Sequence, residues 1–189
     1  MPAAKQPPRL TMREHDEKPA RVKLLAPWIT PVVASICLFA DAASKNWALA
    51  HLTAGKIYPF IPGILQLTLT TNTGGAFGIG RNFKELMTVL AAVIAAGIID
   101  WIVRRERSRN TPSLVERLGM ALLLGGALGN IFDRLVLGCV TDFLDFAFVT
   151  FPVFNLADAA IDVGIGLLVV RSFFSSRLDE EPDRQEIHG

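Results

Sequence analysis

The chain reads as an all-α polytopic membrane protein: four transmembrane helices with a small extracytoplasmic β-sheet between helices one and two. Three observations predict this. Hydrophobic residues make up 51% of its 189 residues and mean hydropathy is +0.38. The apolar residues gather in four blocks, at about 28–52, 85–103, 114–132 and 156–174, with most charges between them. A helix rising about 1.5 Å per residue needs roughly 20 residues to cross a hydrocarbon slab of about 30 Å, and each block has about that length. Segments such as Leu86–Ile99 and Ile161–Val170 leave almost no polar face for water. A net charge of +1 and two cysteines exclude a nucleic-acid binder with a large basic excess and a disulfide scaffold.

Block one follows a tail, residues 1–27, that holds Pro2, Pro7, Pro8 and many charges and is expected to be disordered. This tail is too long and polar for the leading region of an ordinary cleaved signal, so helix one is expected to stay as an anchor. Orientation follows from the basic residues. Lys5, Arg9, Arg13, Lys18, Arg21 and Lys23 precede helix one; Arg104, Arg105, Arg107, Arg109 and Arg117 join helices two and three; Arg171, Arg177 and Arg184 follow helix four. These are 14 of the 19 lysines and arginines. By the positive-inside rule both termini and the middle loop are cytoplasmic, and the other two loops face outward.

The first outward loop, about 53–84, carries the alternating run Ile64-Leu65-Gln66-Leu67-Thr68-Leu69-Thr70 between Pro62-Gly63 and Gly74-Gly75. That pattern predicts the strands of the sheet. The second, Val136 to Phe154, holds Phe143, Phe146, Phe148, Phe151 and Phe154, and is expected to lie on or dip into the membrane interface. The domain plan is a cytoplasmic tail over 1–27, a four-helix membrane domain over 28–174 and a second cytoplasmic tail over 175–189.

Polar residues at membrane depth mark the candidate site. Asp41 and Lys45 lie four apart in helix one; Asn130, Asp133 and Arg134 end helix three; Asn155, Asp158 and Asp162 open helix four; Asp142 and Asp145 lie just before it. Charged groups in hydrocarbon are costly and mark function unless they pair. Structural readings stand beside this one. Asp41–Lys45 fits an intrahelical ion pair, Asn155 with Asp158 fits an N-cap and its acidic partner, and Asp133–Arg134 fits the exit of helix three from the bilayer. Asp100 and Asp145 fit solvated interfacial charges. Gly125-x-x-x-Gly129 fits close helix packing.

Elimination narrows the chemistry. The histidines are His15, His51 and His188, two of them in tails, so neither a histidine-held zinc nor a serine–histidine hydrolase is expected. Cys37 lies within helix one and Cys139 in an outer loop, which makes a disulfide between them doubtful. Carboxylates remain. Two aspartates at one site share a proton, so that one activates water while the other protonates the carbonyl oxygen.

Five motifs in order carry a resemblance: Asp41-Ala-Ala-Ser44-Lys45, Asn72-Thr-Gly74-Gly75-Ala76-Phe77, Gly125-Gly126-Ala-Leu-Gly129-Asn130-Ile-Phe-Asp133-Arg134, Val140-Thr-Asp142-Phe143 and Phe154-Asn155-Leu-Ala157-Asp158. Over about residues 28–174 the chain resembles the lipoprotein signal peptidases, or signal peptidase II family. The resemblance implies a bacterial inner-membrane aspartic endopeptidase that removes signal peptides from prolipoproteins, cutting before a diacylglyceryl-modified cysteine at the extracytoplasmic face. It implies Asp142 and Asp158 as catalytic, and Asn130, Asp133, Arg134 and Asn155 as supporting residues. Asn72 and Gly74 would lie near the substrate, with Asp41 and Lys45 structural or supporting. The implied partners are diacylglyceryl-modified prolipoproteins and membrane lipids, with no nucleic acid, and neither metal nor organic cofactor is expected. Two positions depart from the family pattern: Gly75, commonly alanine, and Asp162, more usually uncharged. A small proton-coupled transporter or channel subunit using the same carboxylates, or a non-catalytic assembly factor, are the alternatives from other classes.

Overall fold

A computed structural model describes residues 20–74, 84–108 and 112–179. The N-terminal tail to residue 19, Gly75 and Arg109 lie outside them, as do the last ten residues. Four long helices form where the apolar blocks stand: α1 (Ala20–His51), α2 (Lys84–Arg107), α3 (Leu114–Val136) and α4 (Leu156–Asp179). Each spans its apolar block or outruns it. α1 starts eight residues before Trp28, with Pro27 and Pro31 inside it. The residues added, Ala20-Arg21-Val22-Lys23-Leu24-Leu25-Ala26, are mostly strong helix formers, and polarity alone does not end a helix. Two stretches, Pro27–His51 and Leu114–Val136, are long and apolar enough to cross a membrane by the usual hydropathy measure. α4 is as apolar but carries three charged residues, Asp158, Asp162 and Arg171, within one span length.

α3 is the hub of the bundle. α4 and α1 pack along it most extensively and α2 less so. Glycines make the close approach possible. A Cβ on Gly125 would lie 2.7 Å from the Ala34 carbonyl oxygen of α1, and one on Gly126 would strike the Ala157 carbonyl oxygen of α4. A Cβ on Gly129 would strike the Asp41 carboxylate. The Gly125-x-x-x-Gly129 spacing is thus a packing device, as in small-residue membrane interfaces.

Ser113 starts α3 with a capping box: its hydroxyl accepts from the Glu116 N–H while the Glu116 carboxylate accepts from the Ser113 N–H. Glu116 also takes Arg105 of α2 at 2.8 Å, and Arg117 pairs with Glu106. Arg171 of α4 donates to the Ser113 hydroxyl at 3.2 Å. Three helices are therefore tied together at the basic end of the bundle. At the other end α3 stops where Gly138, at φ 73, takes the left-handed turn that a side chain would strain, and its N–H bonds the Arg134 carbonyl.

The sheet has three antiparallel strands in the order β1 (Ile57–Ile61), β2 (Leu65–Asn72) and β3 (Val140–Phe146). The expected hairpin forms in the first loop, but β3 comes from the second. The expectation of a sheet confined to the loop between helices one and two, and of an interfacial loop over Val140–Phe146, is corrected accordingly. β3 pairs with β2 in the register Thr70↔Asp142 and Asn72↔Val140. Phe143 is buried in a core with Ala48, Leu52 and Leu67. That core seats the sheet on the end of α1. Beyond the strand the interfacial reading fits better: Phe148 is 68% exposed and Phe151 43%.

Candidate active site

The polar residues of the sequence motifs converge where α1, α3, β3 and the start of α4 meet. Lys45 is the buried centre. Its ammonium lies 2.8 Å from Asp41 Oδ2, 3.0 Å from Asn130 Oδ1 and 3.3 Å from Asp133 Oδ2. The ammonium sits among two carboxylates and one amide oxygen. Asp41–Lys45 is thus an i,i+4 ion pair, as its spacing suggested, but one extended to α3.

Each carboxylate around Lys45 positions another element. Asp41 Oδ1 accepts the Ala157 N–H at 2.9 Å, so a side chain of the first helix caps the start of the last. Asp133 Oδ2 accepts the Thr141 N–H at 3.0 Å and so fixes the strand residue next to Asp142. Asp133 is buried in this network in the last turn of α3. Arg134 donates to the carbonyls of Asn130 and Gly74, each at 3.1 Å, joining α3 to the end of the β2 segment. Gly74 in turn donates its N–H to Asn72 Oδ1 at 2.9 Å.

Two asparagines join Asp142 to Asp158. Asn155 Nδ2 donates to Asp142 Oδ1 at 2.7 Å and to Asn130 Oδ1 at 3.2 Å. Asn130 Nδ2 donates to Asp158 Oδ1 at 2.7 Å. Asn155 also caps α4: its Oδ1 accepts the Asp158 N–H at 2.9 Å, and Asp158 Oδ2 accepts the Asn155 N–H at 3.3 Å. The capping reading of Asn155 and Asp158 is therefore correct as geometry. It leaves the second Asp158 oxygen on Asn130, facing the network that holds Asp142.

Asp142 is buried at the pairing edge of β3. Burial, first, and the negative charge of Asp158 push its carboxyl up to about 7, against the hydrogen bonds of Asn155 and Asn72 and the charge of Lys45. A carboxyl that holds its proton near neutrality can donate it, and a neighbouring carboxylate can take one from water.

The ten residues that the resemblance assigns to the site lie in or beside this network. Asp145 does not join it: its Oδ2 accepts from Gln66 at 2.7 Å and Thr68 at 3.1 Å, across the β2–β3 pair. Asp100 forms an exposed pair with Arg104, as expected of a solvated charge. Cys37 and Cys139 are both free, and among the described residues no His, Cys, Asp and Glu group could hold a metal ion. Sequence reasoning gave no role to Gly126, whose lack of a side chain lets α3 meet α4 beneath Asp158. Its signal was the tandem Gly125-Gly126, where the second glycine faces a different helix from the first.

A helix bundle that links two carboxylates over a buried ion network suits acid–base hydrolysis by paired aspartates. The chain belongs to the Signal peptidase (SPase) II family, whose model matches residues 33–174. It is 39% identical over 142 residues to the lipoprotein signal peptidase of Nostoc punctiforme, covering 75% of this chain and 87% of that one. It is 41% identical over 145 residues to that of Gloeothece citriformis, with the same coverage, and 34% over 146 residues to that of Brevibacillus brevis, covering 77% and 95%. Two solved bacterial membrane enzymes share the fold. One has a TM-score of 0.73 at 24% identity, covering 82% of this chain and 94% of that chain; the other has 0.67 at 26%, covering 76% and 91%. The protein is thus a membrane protein of a peptidase family, and the transporter and assembly-factor readings fall away.

Proposed function

We propose that the chain removes signal peptides from prolipoproteins, with Asp142 and Asp158 as the catalytic pair. The observation that carries the assignment is the link from Asp142 through Asn155 and Asn130 to Asp158. Asp158, ionised, takes a proton from water as its oxygen attacks the scissile carbonyl carbon. Asp142, protonated, donates to the carbonyl oxygen. The tetrahedral intermediate collapses as the proton on Asp158 passes to the leaving amine and the carbonyl proton returns to Asp142. Asn155, Asn130 and Arg134 hold the pair in place, Asn72 and Gly74 lie toward the substrate, and Lys45 with Asp41 and Asp133 supports the helix ends beneath. This chemistry calls for neither metal nor cofactor.

In the same reading all four helices span the bacterial inner membrane, within a membrane domain over 28–174. Both tails are cytoplasmic and the sheet lies outside with the site. The substrate is a prolipoprotein whose diacylglyceryl-modified cysteine keeps its acyl chains in the bilayer. Each buried methylene contributes about 0.8 kcal/mol, so two long chains position the peptide more strongly than any side chain near the cut.

The test is cleavage of a diacylglyceryl-modified prolipoprotein by the purified protein, read by mass spectrometry. The intact protein releases the signal peptide. Asp142→Asn and Asp158→Asn each reduce the rate by about 10²–10⁴-fold or more, while accumulating normally in membranes. A precursor with serine in place of the cysteine goes uncut. Near-normal turnover by Asp158→Asn would leave that residue a helix cap and nothing more.

A further inference from the structure

Asp162 is a charged residue that the catalytic network does not use. It stands one helical turn after Asp158 on α4, about 6 Å further along the axis. The face of α4 that meets α3 is set by Ala157, Ile161, Gly164 and Leu168, which lie against Gly126, Gly119 and Leu123. Asp158, Asp162, Ile165 and Val169 follow the 4–3–4 spacing of a neighbouring stripe. Asp158 is half-buried at the top of this stripe; Asp162, Ile165 and Val169 are exposed. α1 meets α4 much less extensively than α3 does and reaches its start through the Asp41–Ala157 bond, while α2 packs on α3, so the exposed residues of the stripe face away from these contacts. Among the described residues none donates a hydrogen bond or an ion pair to Asp162.

An unpaired carboxylate among exposed apolar residues of a membrane helix is costly unless a partner arrives. The substrate supplies one. A signal peptide crosses the membrane as a helix with its backbone bonds satisfied internally, and it must be drawn out to present a carbonyl to Asp142 and Asp158. Extension frees backbone N–H groups at a depth where water is scarce. At about 3.3 Å per extended residue, the roughly 6 Å between the two aspartates corresponds to about two residues upstream of the scissile carbonyl.

Resting on the proposed peptidase reading, we infer that Asp162 is a substrate-positioning residue, accepting a backbone N–H of the extended signal peptide two to four residues before the modified cysteine. It thereby favours the unwound form of that segment. The substitution Asp162→Asn keeps an acceptor at the same place; Asp162→Leu does not.

The experiment uses full-length protein and lipidated peptide substrates in which single backbone amides at the second, third and fourth residues before the cysteine are replaced by esters, which removes one N–H at a time. Asp162→Leu raises KM about tenfold with kcat within twofold, and Asp162→Asn stays within about threefold in both. One of the three esters raises KM about tenfold for the unaltered protein and has no further effect on Asp162→Leu. If all three esters act equally on the protein and on Asp162→Leu, or if Asp162→Leu leaves KM unchanged, the assignment is overturned. Asp142→Asn run alongside separates the two readings: its retained cleavage would sink the catalytic pair, whereas the Asp162 result reads binding of the extended segment.

Discussion

At the scale of single residues, the role proposed for Asp142 makes activity depend on pH in one direction. Its carboxyl titrates near 7, so the general acid is lost as pH rises through that value, and kcat/KM is expected to fall about tenfold per unit above it. Asn155 donates to Asp142 and favours its charged form. Asn155→Ala should therefore move this limb to higher pH, whatever it does to the maximum rate. A limb unmoved, or moved down, would place the controlling proton elsewhere. Stability carries the same sign. The folded chain binds this proton more tightly than the unfolded one, for which 3.8 applies, so stability present at low pH is lost as pH rises through about 7. Lys45 yields a second prediction. Lys45→Met strands Asp41 and Asp133 as buried charges without their cation, which typically costs about 3–5 kcal/mol. Thermal unfolding in detergent should fall markedly, and Lys45→Met combined with Asp41→Asn and Asp133→Asn should recover part of the loss. Equal melting of Lys45→Met and the unaltered protein would remove Lys45 from the centre of the network.

At the scale of elements, the α3–α4 seam sets the geometry beneath Asp158. Gly126→Leu drives a side chain into the Ala157 carbonyl of α4, where backbone cannot yield cheaply. Cleavage should drop by at least about tenfold, the usual cost of misplacing a reacting group by a fraction of an ångström. Gly166→Leu, on a glycine of α4 with open space around it, should stay near normal. Similar losses in both would point to a general intolerance of larger side chains on these helices instead of the α3–α4 seam. The helices were legible because each apolar block is long, and β2 because the run Ile64–Thr70 alternates. β3 was not. Val140, Thr141, Asp142 and Phe143 are all buried, so the strand lacks the in–out alternation that betrays a half-covered sheet, and its phenylalanines suggested an interfacial loop. The start of α3 was legible and passed over: Ser113-Leu-Val-Glu116 is the sequence form of a capping box. Of the site, the residues were legible from their motifs. What could not be read was that Asp158 both caps its helix and faces Asn130, because one side chain serving two partners leaves no separate mark in a sequence.

At the scale of the whole molecule, the distribution of charge predicts orientation. Arg105, Glu116, Arg117, Glu106 and Arg171 tie three helices at one end of the bundle, and the Asp142–Asp158 network lies at the other. If positive charge stays inside, a reporter active only in the cytoplasm should work when fused after Arg109 or Gly189 and fail after Lys56 or Ala147. Activity after Lys56 would put the site on the wrong side of the membrane for an exported precursor.

The bond from the Asp41 carboxylate to the Ala157 N–H spans 116 residues, and it bears on the order of synthesis. As the chain leaves the ribosome, α1 inserts first with a carboxylate and an ammonium that have only each other. Asn130, Asp133, Asp142 and Asp158 follow in the second half of the sequence. The start of α4 binds an acceptor made at the outset, so a nascent chain halted before Leu156 holds the residues of the Lys45 cage and Asp142 but lacks Asp158, and has no paired acids. If Asp142 and Asp158 are the catalytic pair, a chain still short of α4 has no proteolytic activity.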